Sequence, residues 1–415
     1  MSIGSRLTIF NTLLNLIFFY FLSFIFGIDI NLSFIILIFG IFIIYYIFNI
    51  YNMEKGKYQF SDLLYSFFLN LLLVIVALLV NMKELAFVFI DIFILQNIIK
   101  YFLAKFFVKK NNVIIIGKNK ESEVIKRIIN EKDIYNVVAE LNFQEIENIE
   151  ELVEKYDVER IIITENIIKE SLIQKILSVK LKGVKTYNYI NFFEKVEEKV
   201  LVNRINEEWF LFGRGFNILH DNFQKRLKRI FDFLLAILIF ILTFPIMLVS
   251  AVIIKLESKG PILFIQERIG LGNKSFKIVK FRSMTVDAEK NGPQWAQKKD
   301  NRVTKFGKFM RKTRIDELPQ LWNVIKGEMS FIGPRPERKY FIDILEKEIP
   351  YYNVRHSVKP GLTGWAQVKY PYGASVEDAL RKLEYDLFYI KHQNFIFDII
   401  IIFKTVKTVV FGKGR

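Results

Sequence analysis

The stretch Lys225–Lys259, KRLKRIFDFLLAILIFILTFPIMLVSAVIIKLESK, decides how the chain meets its surroundings. Its apolar core, Ile230–Ile254, is long enough for a helix to cross a bilayer. Lys225, Arg226, Lys228 and Arg229 precede it, and Lys255 and Lys259 follow it, so both flanks carry the positive charge typical of a cytoplasmic side. Pro245, near the middle, removes a backbone hydrogen bond and bends the helix. A bent helix that enters and leaves by the same face satisfies both facts. An ordinary kinked span is the alternative, since membrane helices tolerate proline.

Working outward toward the N-terminus, apolar runs at Ile9–Phe26, Leu32–Ile50, Leu63–Val80 and Leu85–Phe107 each approach the length of a membrane span. The fourth is the least regular, because it holds Asp91 and Lys100. Arg6, Lys55, Lys57, Lys105, Lys109 and Lys110 lie on one set of loops, which places both ends of this unit in the cytoplasm. Few ionisable groups lie within the runs, so an anchor or dimerisation unit fits better than a transporter fragment.

From about Asn111 the character changes. Short β-branched runs at Val113–Gly117, Val137–Leu141, Ile161–Thr164 and Val184–Tyr189 alternate with charged helical stretches, the pattern of a parallel α/β sheet. A dinucleotide fingerprint needs G-x-G-x-x-G after the first strand; here only Gly117 is present. A Rossmann-like domain without nucleotide, with a regulatory or assembly role, is expected. Glu194–Asp221 reads as a connector.

Composition narrows the partners. The 415 residues hold 59 Lys+Arg against 43 Asp+Glu, a formal net charge of +16, so anions are the expected ligands. The apolar runs favour membrane lipid and lipid phosphate over nucleic acid. There is no cysteine, which excludes disulfides and thiolate chemistry, and His220, His356 and His392 show no metal-ligand spacing.

Polar motifs become dense after Lys225. GPILFIQERIG (Gly260–Gly270) and KIVKFRSM (Lys277–Met284) read as strands, the second ending in Arg282 and Ser283. KFGKFMRKTRIDELPQ (Lys305–Gln320) interleaves cations with Phe306, Phe309 and Met310, as an interfacial helix would. It ends in adjacent acids, Asp316 and Glu317, in a field of cations that is expected to hold them ionised. An ionised Asp there can attack phosphorus and form a covalent carboxyl-phosphate. The acids could equally open a helix, where its positive end favours them. FIGPRPE (Phe331–Glu337) brackets Arg335 between prolines and aims a guanidinium suited to a diphosphate. VKPGLTGWAQV (Val358–Val368) supplies Pro360, Gly361 and Gly364 for a tight turn and close ligand approach. Phe395–Phe411 is a strongly apolar helix interrupted by Asp398, Lys404 and Lys407.

These pieces resemble a known family. QERIG, KFRSM, RIDELPQLWNVIKGEMSFIGPRPE, RHSVKPGLTGWAQV and KLEYDLFYI, in this order over Lys225–Arg415, resemble the catalytic domain of the bacterial sugar transferases, the monotopic polyprenyl-phosphate phosphoglycosyltransferases. The resemblance implies a UDP-sugar and undecaprenyl phosphate as substrates, and a sugar-diphospho-undecaprenol and UMP as products. It makes Asp316 the nucleophile and Glu317 the ligand of Mg²⁺. Arg282, Arg302, Arg314 and Arg335 are expected at phosphate and uridine, with Ser283, Pro360, Gly361 and Thr363 completing the substrate site. Pro245 would make the re-entrant bend, although the family's small residue before that proline is here Phe244.

The expected architecture is therefore a four-helix transmembrane unit (1–110), a Rossmann-like domain (111–200), a connector (201–224) and a mixed α/β catalytic domain (225–415) whose re-entrant helix covers about 230–254. The expected setting is the cytoplasmic face of a bacterial inner membrane, as a homodimer that serves capsule, O-antigen or exopolysaccharide synthesis beside other assembly proteins. A non-catalytic scaffold, or a direct glycosyltransferase releasing UDP, would be the other readings.

Overall fold

The computed structural model describes residues 83–410 except 108–109, 134, 166–169, 214, 289–301, 372 and 374, with a few helical positions between 17 and 78. The first two expected spans therefore lie almost wholly outside the described residues, and the third is described only in part. Where it is described it is helical, and its Ser66 Oγ accepts from Gln96 and Asn97 of the helix Lys83–Phe107. That helix matches the fourth expected span and is long and apolar enough to cross a membrane.

The chain divides into two compact units, Met1–Phe192 and Phe193–Arg415. In the first, β1 (Asn111–Ile116), β2 (Tyr135–Leu141), β3 (Val158–Ile163) and β4 (Lys185–Asn188) form one parallel sheet in the order β2-β1-β3-β4. Val113–Ile116 and Ile161–Ile162 are buried, as strands covered on both faces must be. Gly117, at φ 110°, turns the chain out of β1, and a Cβ there would lie 2.3 Å from Thr164 Oγ1. Asn119 then caps the helix Lys120–Lys132 in a reciprocal capping box with Ser122. Glu140 of β2 accepts from Ser122 Oγ at 2.6 Å and Lys126 Nζ at 2.9 Å.

The second unit gathers around one apolar core. It begins with the segment read as a connector, whose Val200, Val202, Ile205 and Phe216 are buried in that same core. β5 (Leu263–Ile269) and β6 (Ser275–Phe281) form an antiparallel hairpin. β7 (Ser330–Ile332) and β8 (Gly361–Thr363) pair in parallel. The helices Lys305–Thr313, Leu321–Lys326, Lys339–Glu348, Val376–His392 and Phe395–Val410 surround them.

The helix Asn222–Glu257 contains Pro245 and runs for 36 residues. Only 11% of its apolar window is buried, and Ile241, Leu242, Leu248, Val249 and Val252 are exposed. A continuous apolar surface of this size is stable only against a partner that is itself apolar, which marks the chain as membrane-associated. Its basic entry has an internal use. Lys225 Nζ donates to Leu219 O at 2.8 Å, and Lys228 Nζ meets Asp398 Oδ2 at 2.8 Å. Arg229 donates to Val324 O at 2.6 Å and Ile325 O at 2.7 Å, the last carbonyls of the helix Leu321–Lys326. Asp232, one turn further on, accepts from Ser330 Oγ at 2.7 Å and Phe331 N at 3.1 Å. The apolar helix is thereby fixed to the folded unit along its first three turns.

Two consequences can be measured on the full chain in detergent. Arg229→Ala strips two helix-end carbonyls of charged donors and should lower stability by about 2 kcal/mol, with Arg229→Lys recovering part. No change in the unfolding midpoint would refute that capping role. His356 is buried and shares a 2.6 Å contact with Asn273. Burial, then the neighbouring Arg355 cation, lowers its pKa to about 4, against about 6.5 when unfolded. Between these values the unfolded chain binds the proton and the folded chain does not. Stability from this group is thus complete above pH 6.5 and is lost as pH falls toward 4. The drop in thermal midpoint from pH 7 to pH 5 should be larger in wild type than in His356→Gln; equal drops would rule this out.

Candidate active site

The site is built where a helix stops. The helix Lys305–Thr313 is capped at its start by Thr304, whose side chain accepts from Gly307 N. Arg314 ends it in the left-handed conformation, φ 61°. The chain then re-enters as a 3₁₀ turn, Ile315–Gln320, with Asp316 and Glu317 in its first turn. Leu321 and Val324, directly after it, are buried in the core and pull the turn down with them. The acids are therefore carried inward, and each is 8% exposed.

Asn323 fixes this turn to the hairpin. Its Oδ1 accepts from Val279 N at 3.1 Å, and its Nδ2 donates to Lys277 O and Glu328 Oε2, each at 2.8 Å. β6 is thereby held so that Lys280 reaches the acids. Lys280 Nζ lies 3.6 Å from Glu317 Oε1, Arg314 Nη1 lies 3.6 Å from it, and Arg335 Nη2 donates to it at 2.6 Å. Three cations thus meet one carboxylate oxygen.

The two acids respond in opposite directions. Burial opposes ionisation of Glu317, but Arg335, Lys280 and Arg314 outweigh it and hold its pKa far below the usual carboxylate range. Burial, reinforced by the charge of Glu317, raises that of Asp316. The expectation that the cationic field holds both acids ionised is thus met for Glu317, whereas Asp316 shifts the other way, because burial and the charge of Glu317 outweigh the lowering by Lys280, Arg314 and Arg311. Asp316 Oδ1 is buried without a hydrogen-bond partner among the described residues. Burial lowers the Lys280 pKa to about 8, with Glu317 opposing the shift. Glu317 in turn raises that of Arg335.

This donor set suits the expected Mg²⁺. Magnesium is held by one or two carboxylates together with substrate phosphates and water, rather than by an all-protein cage. The ion-pair contacts of Glu317 all fall on Oε1, and Asp316 Oδ1 is uncommitted.

The other expected site residues make their contacts away from the two acids. Arg282 is buried and donates to Ser258 O and Lys259 O, each at 2.8 Å, so it secures the end of the long helix. The Ser283 carbonyl accepts from Thr304 N at 3.1 Å. Arg302 Nη1 donates to Ala288 O at 3.0 Å. The Pro360 carbonyl accepts from Ser330 N at 2.9 Å. Gly361 allows a close approach, but to backbone: a Cβ there would stand 2.1 Å from Gly333 N. Thr363 Oγ1 contacts Thr405 Oγ1 at 2.8 Å. Lys280 and Asn323 were not singled out from sequence, although both lie inside the quoted motifs. The signal for Lys280 was a cation in the alternating run KIVKF; Asn323 gave none, because its partners come from another element.

Comparison with known proteins identifies the family. The model of the family described as bacterial sugar transferase matches residues 223–412. A UDP-N-acetylgalactosamine-undecaprenyl-phosphate N-acetylgalactosaminephosphotransferase of Aeromonas hydrophila is 51% identical over 234 residues, 56% of this chain and 54% of that protein. A putative undecaprenyl-phosphate N-acetylgalactosaminyl 1-phosphate transferase of Bacillus subtilis (strain 168) is 51% identical over 129 residues, 31% of this chain and 72% of that protein. A UDP-glucose:undecaprenyl-phosphate glucose-1-phosphate transferase of Escherichia coli (strain K12) is 43% identical over 185 residues, 44% of this chain and 40% of that protein. The chain thus spans about half the length of the first of these relatives. The aligned residues, from the lipid-facing helix through the Asp316–Glu317 turn to the last helix, place this chain in the bacterial sugar transferase family.

Proposed function

We propose that the chain transfers a sugar 1-phosphate from a UDP-sugar to undecaprenyl phosphate through a covalent intermediate on Asp316. The observation that carries this is the asymmetry of the acid pair: Glu317 is neutralised by three cations, while Asp316 Oδ1 beside it has no hydrogen-bond partner among the described residues. An oxygen with no competing hydrogen bond, next to concentrated positive charge, suits attack on a phosphate that is itself anionic.

In the first step the Asp316 carboxylate attacks the β-phosphorus. The bond from that phosphorus to the bridging oxygen breaks, and UMP leaves with the oxygen. In the second, a phosphate oxygen of undecaprenyl phosphate attacks the same phosphorus, the acyl-phosphate bond breaks, and the carboxylate is restored. Asp316 acts ionised, although burial raises its pKa. Lys280, Arg314 and Arg311 favour the ionised form. Mg²⁺ held at Glu317 would neutralise the diphosphate. Lys280, Arg314 and Arg335 lie where they can stabilise charge on the transferring and leaving phosphates. Arg282, Arg302, Ser283, Pro360, Gly361 and Thr363 are proposed to shape the donor site around this centre.

The setting follows from the substrates. We place the catalytic unit on the cytoplasmic face of a bacterial inner membrane, where UDP-sugars are available. Pro245 would return the lipid-embedded helix to that face, and the N-terminal runs would anchor a homodimer. Such a step would begin a capsule, O-antigen or exopolysaccharide unit. UDP-N-acetylgalactosamine is the first donor to test. Two relatives at 51% identity carry that sugar in their names, and relatives named for glucose are 40–45% identical.

The test is intact-protein mass after incubation with Mg²⁺ and each of a panel of UDP-sugars, UDP-N-acetylgalactosamine and UDP-glucose included, without lipid acceptor. Wild type should gain one phosphosugar and release UMP, and Asp316→Asn should gain none. No adduct with any donor, together with lipid-linked product and release of UDP once undecaprenyl phosphate is added, would defeat the covalent scheme. An adduct retained by Asp316→Asn would move the nucleophile elsewhere.

A further inference from the structure

The loop Gly333–Glu337 delivers Arg335 to Glu317, yet it has little hydrogen bonding of its own to hold it. Pro334 and Pro336 have no N–H to donate. The loop is held by Gly333 N, which donates to Thr363 O at 3.0 Å, and by its carbonyls. Pro334 O accepts from Gly361 N at 2.9 Å, Pro336 O from Arg268 Nη1 at 3.2 Å and Glu337 O from Ile269 N at 3.0 Å. The carbonyl of Arg335 itself accepts from Arg355 Nη2 at 2.9 Å.

Arg355 is buried, and its guanidinium is fixed from behind. Nη2 also donates to Asp386 Oδ2 at 2.9 Å, and Nη1 to the Tyr352 hydroxyl at 2.6 Å. Asp386 is itself 2% exposed, on the helix Val376–His392. A chain of contacts therefore runs from Asp386 through Arg355 to the backbone of Arg335, and from the Arg335 side chain to Glu317 at 2.6 Å. A buried ion pair is a weak source of net stability, and its best-attested use is to fix register. A guanidinium fixes direction in a way an ammonium cannot, because its donors lie in one rigid plane.

The geometry points to Arg355, held by Asp386, as a positioning residue for the transfer reaction: it sets the backbone from which Arg335 reaches Glu317. This rests on the proposed role of Arg335 in handling phosphate. Arg355 does not touch the acids; it acts through Arg335 alone.

The experiment compares Arg355→Lys, Arg335→Lys and the double variant in the full chain in detergent, with Tyr352→Phe as the milder perturbation of Arg355. Hydrogen–deuterium exchange is read first, since it needs no substrate. Arg355→Lys should speed exchange at residues 333–338 and leave the β5–β6 hairpin as in wild type, with Tyr352→Phe moving the loop less in the same direction. An unchanged loop would overturn the proposal, as would a rise spread evenly over the chain. Turnover with undecaprenyl phosphate and the UDP-sugar that wild type uses is read second. Arg355→Lys should cost on the order of tenfold to a hundredfold, and the double variant should be no worse than Arg335→Lys alone. Losses that multiply would show that Arg355 does not act through Arg335 and would overturn the proposal. Wild-type turnover by Arg335→Lys would instead remove the role assigned to Arg335, while the exchange data would still decide whether Arg355 holds the loop.

Discussion

Two adjacent carboxylates, each 8% exposed, are an unfavourable arrangement in any protein interior. Burial disfavours their charge, and each disfavours the other's. The second unit is organised around resolving this conflict. Glu317 is stabilised by Arg335, Lys280 and Arg314, which come from three places in the sequence. Bringing them together requires a hairpin to present Lys280, a left-handed residue to turn Arg314 back, and a proline-bracketed loop to carry Arg335. Asn323 and the Gly333–Gly361 contact keep these pieces in register. With the charge of Glu317 compensated, Asp316 is left with an oxygen, Oδ1, that has no hydrogen-bond partner among the described residues.

The same economy governs the lipid-facing helix. Its exposed surface is apolar over most of its length, and it would be a liability in water. What keeps it in place is polar: Lys228 to Asp398, Arg229 to the carbonyls of Val324 and Ile325, and Asp232 to Ser330 and Phe331. Arg229 caps the short helix that follows the acid pair, so the seating of the helix and the position of the acids share one contact. Arg282 closes the far end of the helix through Ser258 and Lys259. Basic residues at the edges of an apolar run thus do more than mark a side of the membrane.

Much of the local structure was legible. The runs after Asn111 became β1 to β4, and in β1 and β3 the continuous Ile segments fit a sheet covered on both faces. GPILFIQERIG and KIVKFRSM became the two strands of a hairpin, and Lys305–Thr313 became a helix ended at Arg314. The segment Glu194–Asp221 looked like a connector because Gly213 and Gly215 interrupt it. Its Val200, Val202 and Phe216 are nevertheless core residues of the second unit, a fact that depends on what they meet and not on their spacing.

Sequence by itself determined the elements, the family and the identity of the acid pair, since propensity, apolar period and motif order are local properties of the chain. Only the tertiary structure decided which cations face which acid. Arg282 and Arg335 are the same residue type in equally dense motifs, yet one binds helix-end carbonyls and the other binds Glu317. The two acids are neighbours in sequence, yet one is held ionised and the other is pushed toward its protonated form. Electrostatic interaction depends on distance and burial in three dimensions, and neither quantity is written in the order of the residues.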